Sequence, residues 1–181
     1  MSFRDILHDP RVVRALRELS RAGMVVSLYA IRKNYGVLAF DVAETAKRMA
    51  QEASRGRLAN YVRVEEEGGK DVAVAVIEVP EYEAMPEPAE VRDEAARELA
   101  ERLARKGIKS VIEIESDTRA YIAIDLASVA KYIARQADRA LGDEIRHFAY
   151  YDREDGVLQV HVWKGPKPEE VRRLEEEGGE L

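Results

Sequence analysis

The sequence contains no cysteine among its 181 residues. A chain without thiols forms no disulfide bond, has no cysteine nucleophile and cannot build the cysteine-rich zinc sites of many small domains. Any metal site would therefore have to use histidine and carboxylate ligands. Hydrophobic residues make up 46% and charged residues 35% of the chain, which is typical of a folded protein with a highly charged surface.

Long apolar runs are also missing. No stretch approaches the roughly 20 apolar residues that span a bilayer. The first ten residues, MSFRDILHDP, contain neither an apolar core nor a twin-arginine pair of the kind found in export signals. We therefore expect a cytoplasmic protein that does not contact a membrane.

Amide side chains are scarce. Asparagine occurs only at Asn34 and Asn60, and glutamine only at Gln51, Gln136 and Gln159, whereas glutamate and arginine are abundant. Few thermolabile amides and many ionic side chains are typical of proteins from hot habitats. The composition therefore predicts a thermophilic source.

The net charge of −6 is unevenly distributed. Residues 1–64 contain 12 basic and 6 acidic side chains, whereas residues 65–100 contain 3 basic and 12 acidic ones. The first segment is suited to face an anion, and the second would repel one.

The apolar pattern divides the chain into helices and strand pairs. Asp9-Pro10 begins a helix with apolar residues at helical spacing, and Gly23 is placed to end it. Two strands follow, then a helix capped by Asp41, then a hairpin with Gly68-Gly69 in its turn. The predicted order is α-β-β-α-β-β.

The same order then begins again, 84 positions later. The matched pairs include Leu19 with Leu103, Arg21 with Arg105, Gly23 with Gly107, Asp41 with Asp125, Ala46 with Ala130 and Lys47 with Lys131. After a two-residue insertion the hairpins align as well, with Val74 matched to Val160 and Val76 to Val162. Because one frame matches helix ends, caps and strand alternation together, the sequence predicts a tandem duplication.

The repeat predicts the domain boundaries. We assign residues 1–80 to the first unit, 81–88 to a linker, 89–165 to the second unit and 166–181 to a C-terminal tail. The tail sequence PKPEEVR is similar to PEPAEVR at the start of the second unit. We therefore expect the tail to form a short helix that caps an edge or docks on a partner.

Each unit predicts an α+β fold with an antiparallel-rich, four-stranded sheet and both helices on one face. Moving the first strand of a ferredoxin-like β-α-β-β-α-β unit to the end gives this order. A pair of permuted ferredoxin-like sandwiches is therefore the leading interpretation of the fold.

An alternative comes from Val76–Ile133. This segment, with Gly107–Val111 after its helix and a strand that runs into Asp125-Leu126, resembles a cystathionine-β-synthase-type (CBS) repeat. The ribose-binding pattern of that family has Gly and Thr at the places that Arg119 and Ile122 occupy here. The resemblance implies CBS-like repeats without the ligand motif of the family.

Strand alternation predicts an apolar open face in the first unit. The side chains expected to point away from the helices are Val25, Ser27, Tyr29, Ile31, Tyr35, Val37, Tyr61, Arg63, Ala73, Ala75 and Ile77. This face is too apolar to remain in water. We expect the other sheet to bury it, or a second copy of the chain through self-association.

The last hairpin carries the most distinctive side chains. The ligand-binding candidates are His147, His161, Tyr151, Trp163 and Tyr121. A turn at residues 152–156 would place the two histidines directly opposite each other, and Phe148 and Tyr150 would face the helices. Opposed imidazoles with Glu113 or Glu115 suit a divalent metal, whereas aromatic rings beside them suit a stacked base or ligand. Ordinary packing explains the same residues.

A second candidate surface is basic. Arg14, Arg17 and Arg21 recur on the side of the first helix away from its apolar residues, and Arg32 and Lys33 occupy a nearby turn. Arginines at this spacing can contact successive phosphates of a nucleic acid. A solvated helix face in a thermophilic protein has the same pattern.

The sequence contains no motif for catalysis. Asp41 and Asp125 recur where a carboxylate caps a helix, the glycines form no phosphate-binding loop, and no serine has the surroundings of a nucleophile. No catalytic residue, cofactor or metal is assigned. We expect a non-catalytic binding or scaffolding protein that self-associates and contacts a protein, RNA or ribonucleoprotein partner. The alternative is a small-molecule- or metal-binding protein, or an enzyme, that uses the histidine and aromatic face.

Overall fold

The computed structural model of the chain describes residues 5–53, 58–67, 70–78, 88–116 and 119–178. Within these residues it has an α+β architecture with two antiparallel sheets, five α-helices and a short 3₁₀ helix at Ile6–His8. The α-helices are α1 (Pro10–Arg21), α2 (Val42–Ala53), α3 (Pro88–Arg105), α4 (Leu126–Leu141) and α5 (Glu169–Glu176). The strands are β1 (Val26–Arg32), β2 (Tyr35–Asp41), β3 (Leu58–Glu67), β4 (Lys70–Glu78), β5 (Ser110–Ser116), β6 (Arg119–Asp125), β7 (Arg146–Asp152) and β8 (Val157–Trp163). None of the helices in the described ranges is long and apolar enough to cross a membrane.

The strands form two four-stranded sheets, each assembled from two hairpins. Sheet 1 has the order β1-β2-β8-β7, sheet 2 has the order β3-β4-β6-β5, and all neighbours are antiparallel. Sheet 1 belongs to a compact unit made of Met1–Thr45 and Ile133–Leu181, and sheet 2 belongs to a unit made of Ala46–Tyr132. The two ends of the chain are thus combined in one unit, and the middle forms the other.

The grouping of hairpins differs from the expectation that each predicted repeat forms a sheet of its own. All four predicted hairpins are present, but the first pairs with the last and the second with the third. Alternation of apolar residues indicates which face of a strand is buried, and it does not specify which strand lies alongside. The predicted linker, residues 81–88, lies outside the described residues except for Pro88, so the repeat boundaries stay a prediction.

Helices α1 and α3 end in the same way. Gly23 has a φ of +93° and Gly107 a φ of +80°, a region that favours glycine because it has no Cβ. In both cases the amide of the next residue donates to the carbonyl five positions earlier, over 3.1 and 3.0 Å. This geometry confirms the two predicted helix-ending glycines.

The strand-to-helix junctions also match. The amide of Asp41 donates to the carbonyl of Val25 over 3.0 Å, and the amide of Asp125 donates to the carbonyl of Lys109 over 2.9 Å. The hydroxyl of Thr45, in the first turn of α2, accepts from the amide of Val25 and donates to the carbonyl of Asp41. The hydroxyl of Ser128, in the first turn of α4, makes the same two bonds with Lys109 and Asp125.

The side chains of the two junction aspartates differ. Oδ1 of Asp41 accepts from the amide of Glu44 over 3.0 Å, which confirms the predicted cap of α2. Oδ1 of Asp125 is buried and has no hydrogen-bond partner among the residues that the structure describes. The backbone arrangement is therefore shared, and the capping bond is seen at Asp41.

Strands β1 and β5 are edge strands with a bulge at matching positions. The register shifts between Ala30 and Arg32 in β1, and between Ile114 and Ser116 in β5. A bulge interrupts pairing and increases the local twist, which protects an edge strand from unwanted partners. The two bulged positions are 84 residues apart, the same offset as the glycines and aspartates above.

Sheet 1 has one face packed with aliphatic and phenyl side chains. Its buried members, each at most 1% exposed, are Leu38, Phe40, Leu158, Val160 and Val162. The 3₁₀ helix lies against this face beside Gly36, where an added Cβ would come within 2.7 Å of Cγ2 of Ile6. A side chain at position 36 would therefore push this segment away from the sheet.

The opposite face of sheet 1 is aromatic and lies under α5. We call it the aromatic face and define it by Tyr35, Phe148, Tyr150, His161 and Trp163. Three of these rings form a buried cluster with Val37 and with Val171 of α5, and Tyr150 and Leu174 pack against that cluster. The helix in the tail, which the sequence predicted to cap an edge or dock on a partner, thus docks on the protein's own sheet.

The apolar open face predicted for the first unit is covered in part. Tyr35 and Val37 are 2% and 0% exposed, and they contact α5 through the buried cluster. Tyr29 and Ile31, on the edge strand β1, remain 46% and 41% exposed. Helix α5 therefore covers this part of the face, whereas the sequence suggested the other sheet or a second copy of the chain.

Candidate functional site

The turn of the last hairpin is one residue shorter than the sequence suggested. Asp152 pairs with Val157, so the turn consists of residues 153–156. Gly156 has a φ of +67° in this turn. Because side chains alternate between faces, a shift of one residue in the register moves every side chain of one strand relative to its partner strand.

This register separates the two candidate histidines. His161 lies opposite Phe148, and His147 lies opposite Val162. The prediction that the histidines face each other is therefore wrong, because they point to opposite faces of sheet 1. Phe148, which the sequence predicted to face the helices, lies on the face opposite Val162 and packs there with Val171 of α5.

His147 is engaged within the chain. Its Nε2 atom lies 2.7 Å from Oδ1 of Asp138 on α4, and its Nδ1 atom lies 3.0 Å from the carbonyl oxygen of Ile145. The side chain is 16% exposed. Since both ring nitrogens contact oxygen atoms of the protein, neither is left for a metal ion or a ligand.

His161 lies at the centre of a buried hydrogen-bonded group. Its Nδ1 atom is 2.6 Å from the hydroxyl of Tyr35, and its Nε2 atom is 2.9 Å from Oε1 of Gln159. Because the amide oxygen of Gln159 can only accept, Nε2 carries the ring proton and the Tyr35 hydroxyl donates to Nδ1. The two rings are also stacked, with centroids 5.7 Å apart.

Burial keeps both partners of this bond neutral. Desolvation lowers the pKa of His161 to about 4 and raises the pKa of Tyr35 to about 12. At neutral pH the imidazole is therefore an acceptor at Nδ1 and the phenol remains a donor. The pair is suited to hold two strands together, and it lacks a proton that it could exchange near pH 7.

An ion pair connects this group to α5. Nη1 and Nη2 of Arg32 donate to the carboxylate of Glu170 over 2.5 and 3.0 Å, and the Arg32 guanidinium lies 5.1 Å from the centre of the Tyr35 ring. The bonds from Arg32 lower the pKa of Glu170 to about 2. Arg32, Tyr35 and α5 are thus linked at one end of the aromatic face.

The remaining ligand candidates are not brought together. Trp163 lies opposite Tyr35 on the aromatic face, whereas Tyr151 lies opposite Leu158 on the other face of sheet 1. Tyr121 belongs to sheet 2, where it pairs with Val76 and Glu113. The predicted residues of sheet 1 are therefore divided between its two faces, with His161 and Trp163 on the aromatic face and His147 and Tyr151 on the other.

Trp163 has an unusual environment for a buried tryptophan. The residue is 4% exposed, and its indole N–H has no hydrogen-bond partner among the described residues. A buried tryptophan usually places this donor against an acceptor. The aromatic face therefore contains one buried donor that is not satisfied by the described part of the chain.

The predicted basic residues fall into two groups. Arg17 and Arg21 are exposed on α1, and neither has a carboxylate partner within the described residues. Arg14 lies 3.8 Å from Glu144, with both side chains more than half exposed. Arg32 is neutralised by Glu170, and Lys33 is exposed in the β1–β2 turn. The arginines of α1 and the Arg32 site are therefore electrostatically different.

Sequence reasoning missed a buried carboxylate at Asp9. The residue is 4% exposed and accepts from the amide and the guanidinium of Arg11, while Nζ of Lys164 lies 3.2 Å from Oδ2. The bonds from Arg11 hold the pKa of Asp9 well below its usual range. The Asp-Pro pair indicated the helix start, but no pattern indicated that Lys164 would reach it.

No group of three or more histidines and carboxylates in the described ranges is arranged to hold a metal ion. Glu113, one of the carboxylates considered for such a site, lies in sheet 2, whereas His147 and His161 lie in sheet 1. Comparisons with protein-family models, with curated proteins and with solved structures find no match to this chain.

Proposed function

We propose that the protein is a non-catalytic binding protein that contacts RNA through the exposed arginines of α1. The observation that carries this proposal is that Arg17 and Arg21 are exposed and have no carboxylate partner in the described part of the chain. Residues four apart lie on one side of a helix, so the two guanidinium groups form one basic surface. Guanidinium groups of this kind bind phosphates along a nucleic-acid backbone.

The surroundings of α1 support the same proposal. Arg14 extends the surface by one turn, and its contact with Glu144 is long and exposed, so it holds the arginine only weakly. The first 64 residues have a net charge of +6, which favours the approach of a polyanion. Among the partners considered from the sequence, RNA is the one with a regular row of phosphates.

The metal-binding alternative is less well supported by the geometry. His147 contacts Asp138 and Ile145, His161 contacts Tyr35 and Gln159, and the two rings point to opposite faces. A shared metal would require both side chains to leave these bonds.

Self-association remains part of the proposal. Its candidate surface is the edge strand β1, where Tyr29 and Ile31 are large, apolar and more than 40% exposed. The bulge after Ala30 limits regular strand addition there, so side-chain contacts would dominate such an interface.

We also infer that the chain arose by duplication and that each sheet is a permuted ferredoxin-like sheet. The same offset of 84 relates the glycines that end α1 and α3, the hydrogen bonds at the junction aspartates, and the bulges in β1 and β5. The strand order is also the same in both sheets when β1-β2 is matched with β5-β6 and β8-β7 with β4-β3. A permuted β-α-β-β-α-β unit would have this order.

The RNA proposal is tested by titrating labelled single-stranded RNA with the full chain at several salt concentrations. Changing Arg17 and Arg21 to Glu should weaken binding strongly. It should also reduce the slope of log affinity against log salt by about 0.7 for each phosphate that the variant no longer binds. The measurement is fluorescence anisotropy of the labelled RNA.

A matched control is available on α3. Arg97 and Arg105 are also exposed arginines of a helix, so Arg97→Glu with Arg105→Glu produces the same change in net charge. The proposal requires that this control keep most of the affinity of the wild type. Equal losses in both double variants would indicate a general charge effect, and unchanged binding in the α1 variant would exclude this surface.

A further inference from the structure

The aromatic face of sheet 1 has the composition of a base-stacking surface. Five rings lie side by side on strands β2, β8 and β7, and Tyr29 on β1 continues the same face at 46% exposure. Aromatic and imidazole rings on a sheet stack against nucleobases of any sequence, because every base has a flat π-face. In the present structure most of these rings lie beneath α5.

The attachment of α5 is small. The helix has eight residues, and it contacts the face through Val171, which is fully buried, and Leu174, which is partly buried. A further link to the sheet is the ion pair between Glu170 and Arg32, whose side chains are 38% and 54% exposed. Pro168, immediately before the helix, is buried as well. Contacts as few as these can break without disturbing the strands.

The connection to α5 permits such a movement. Lys164 is still anchored, because its amide donates to the carbonyl of Asn34 over 2.9 Å. Gly165 follows with a φ of +85°, and Pro168 precedes the helix in an extended conformation. The turn from sheet to helix is therefore made at Gly165, the residue with the greatest conformational freedom.

The charge of α5 resembles that of the ligand that the face suits. Its residues 169–176 contain four glutamates and two arginines. The Glu170 carboxylate makes two parallel bonds to the Arg32 guanidinium at the margin of the face. A phosphate oxygen pair makes the same bidentate contact with arginine. α5 thus places an anion against Arg32 at the margin of the face.

The indole of Trp163 supplies an independent observation. Its N–H is buried without a partner among the described residues, and the residue belongs to the cluster that includes Val171 of α5, so the docked helix does not satisfy this donor. A nucleobase has acceptor groups on its edges and can both stack on a ring and accept a bond from such a donor. The docked helix is therefore an incomplete match for the surface beneath it.

We propose that the aromatic face binds single-stranded nucleic acid, and that α5 is a displaceable cover that occupies this site when no ligand is bound. Bases stack on Tyr35, His161 and Trp163, and a phosphate replaces Glu170 at Arg32. The proposal goes beyond the RNA contact at α1, because it uses other residues and would hold if the arginines of α1 bind nothing.

Trp163 makes this site directly observable, because it is the single tryptophan of the chain. Short oligo(U) and oligo(dT) are titrated into the full-length protein while tryptophan emission is recorded. Stacking on the indole quenches the emission, and the comparison of the two oligomers separates RNA from DNA as the preferred ligand. In the wild type, competition from α5 makes the apparent affinity lower than that of the open face.

The informative variant weakens α5 without changing the face. Glu170→Gln with Leu174→Ala removes the ion pair and part of the apolar contact, and it should raise the apparent affinity by about tenfold or more, with deeper quenching. Glu176→Gln is the matched control, because it makes the same charge change on the same helix at an exposed position. Equal affinity and equal emission in the loosened variant and this control would overturn the proposal.

Hydrogen exchange on the wild type gives a second, independent reading. Oligonucleotide binding should accelerate exchange of the α5 amides, since the helix leaves the sheet. Binding that depends on Arg17 and Arg21, with neither quenching nor faster exchange in α5, would refute the aromatic-face site and leave the α1 proposal intact. Absence of oligonucleotide binding in the wild type and in both variants would refute both proposals.

Discussion

Tyr35 on β2 donates a hydrogen bond to Nδ1 of His161 on β8 over 2.6 Å, across 126 positions of the sequence. The bond joins the first hairpin of the chain to the last, and both residues are at most 4% exposed. The Tyr35 ring also contacts the guanidinium of Arg32, which forms the ion pair with Glu170 of α5. The hydrogen bond is therefore adjacent to the contact between sheet 1 and the helix that covers it. Its contribution can be measured separately from that of the helix.

Tyr35→Phe should destabilise the protein by about 1–3 kcal/mol, because Nδ1 of His161 would remain buried without a donor. The ring and its packing are retained, so the change reports on the hydrogen bond. Tyr29→Phe, at a position that is 46% exposed, is the matched control and should cost much less. Urea unfolding measures both, and similar midpoints for the two variants would contradict the expected role of the bond.

His161 should make stability depend on pH. Burial lowers its pKa from 6.5 to about 4 in the folded state, so between these values the unfolded chain binds a proton that the folded chain does not. Its contribution is complete above about pH 6.5 and is lost as the pH falls toward 4. At about 1.4 kcal/mol per pKa unit, the loss amounts to at most about 3.5 kcal/mol.

The control for this pH effect is Glu170. The pKa of Glu170 is lowered from 4.5 to about 2 by Arg32, so its contribution is present above pH 4.5 and is lost only as the pH falls below that value. His161→Gln should therefore flatten the dependence of unfolding free energy on pH between 6.5 and 4.5, and Glu170→Gln should not. If the wild type and His161→Gln show the same slope in that range, the imidazole is not the group responsible.

The sequence predicted local features well because their causes are local. The capping aspartate of α2 and the glycines that end α1 and α3 each depend on a few neighbouring residues, and they are present. The existence of a helix in the tail followed in the same way from Pro-Lys-Pro and the residues after it.

The candidate site was less predictable because its causes are distant in the chain. The sequence assigned Tyr35 and His161 to different units, and only the pairing of β2 with β8 brings them together. A one-residue difference in the turn after Asp152 placed His147 and His161 on opposite faces. No local pattern could indicate that α5 would cover the aromatic face, because the complementary surface is built from three strands.

Asp9→Asn tests the buried carboxylate at the start of α1. The change removes the charge that binds Arg11 and Lys164, and bonds to charged groups contribute about 1.5–3 kcal/mol. Asp41→Asn is the control, because Asp41 is exposed and asparagine caps a helix about as well as aspartate does. Thermal or urea unfolding should therefore show a large loss at position 9 and almost none at position 41, and equal effects would contradict this interpretation.

Val171→Ala tests whether α5 is a separate layer on sheet 1. Val171 is fully buried against the aromatic face, so removing two methyl groups should weaken the docking of the helix by about 2 kcal/mol. On the proposal that the strands are stable without α5, we expect the emission of Trp163 to shift to longer wavelength before the sheet unfolds. Arg172→Ala, at the next and exposed position, should leave the emission unchanged. A single transition in which emission and far-ultraviolet circular dichroism change together in Val171→Ala would show instead that α5 and sheet 1 unfold as one cooperative unit.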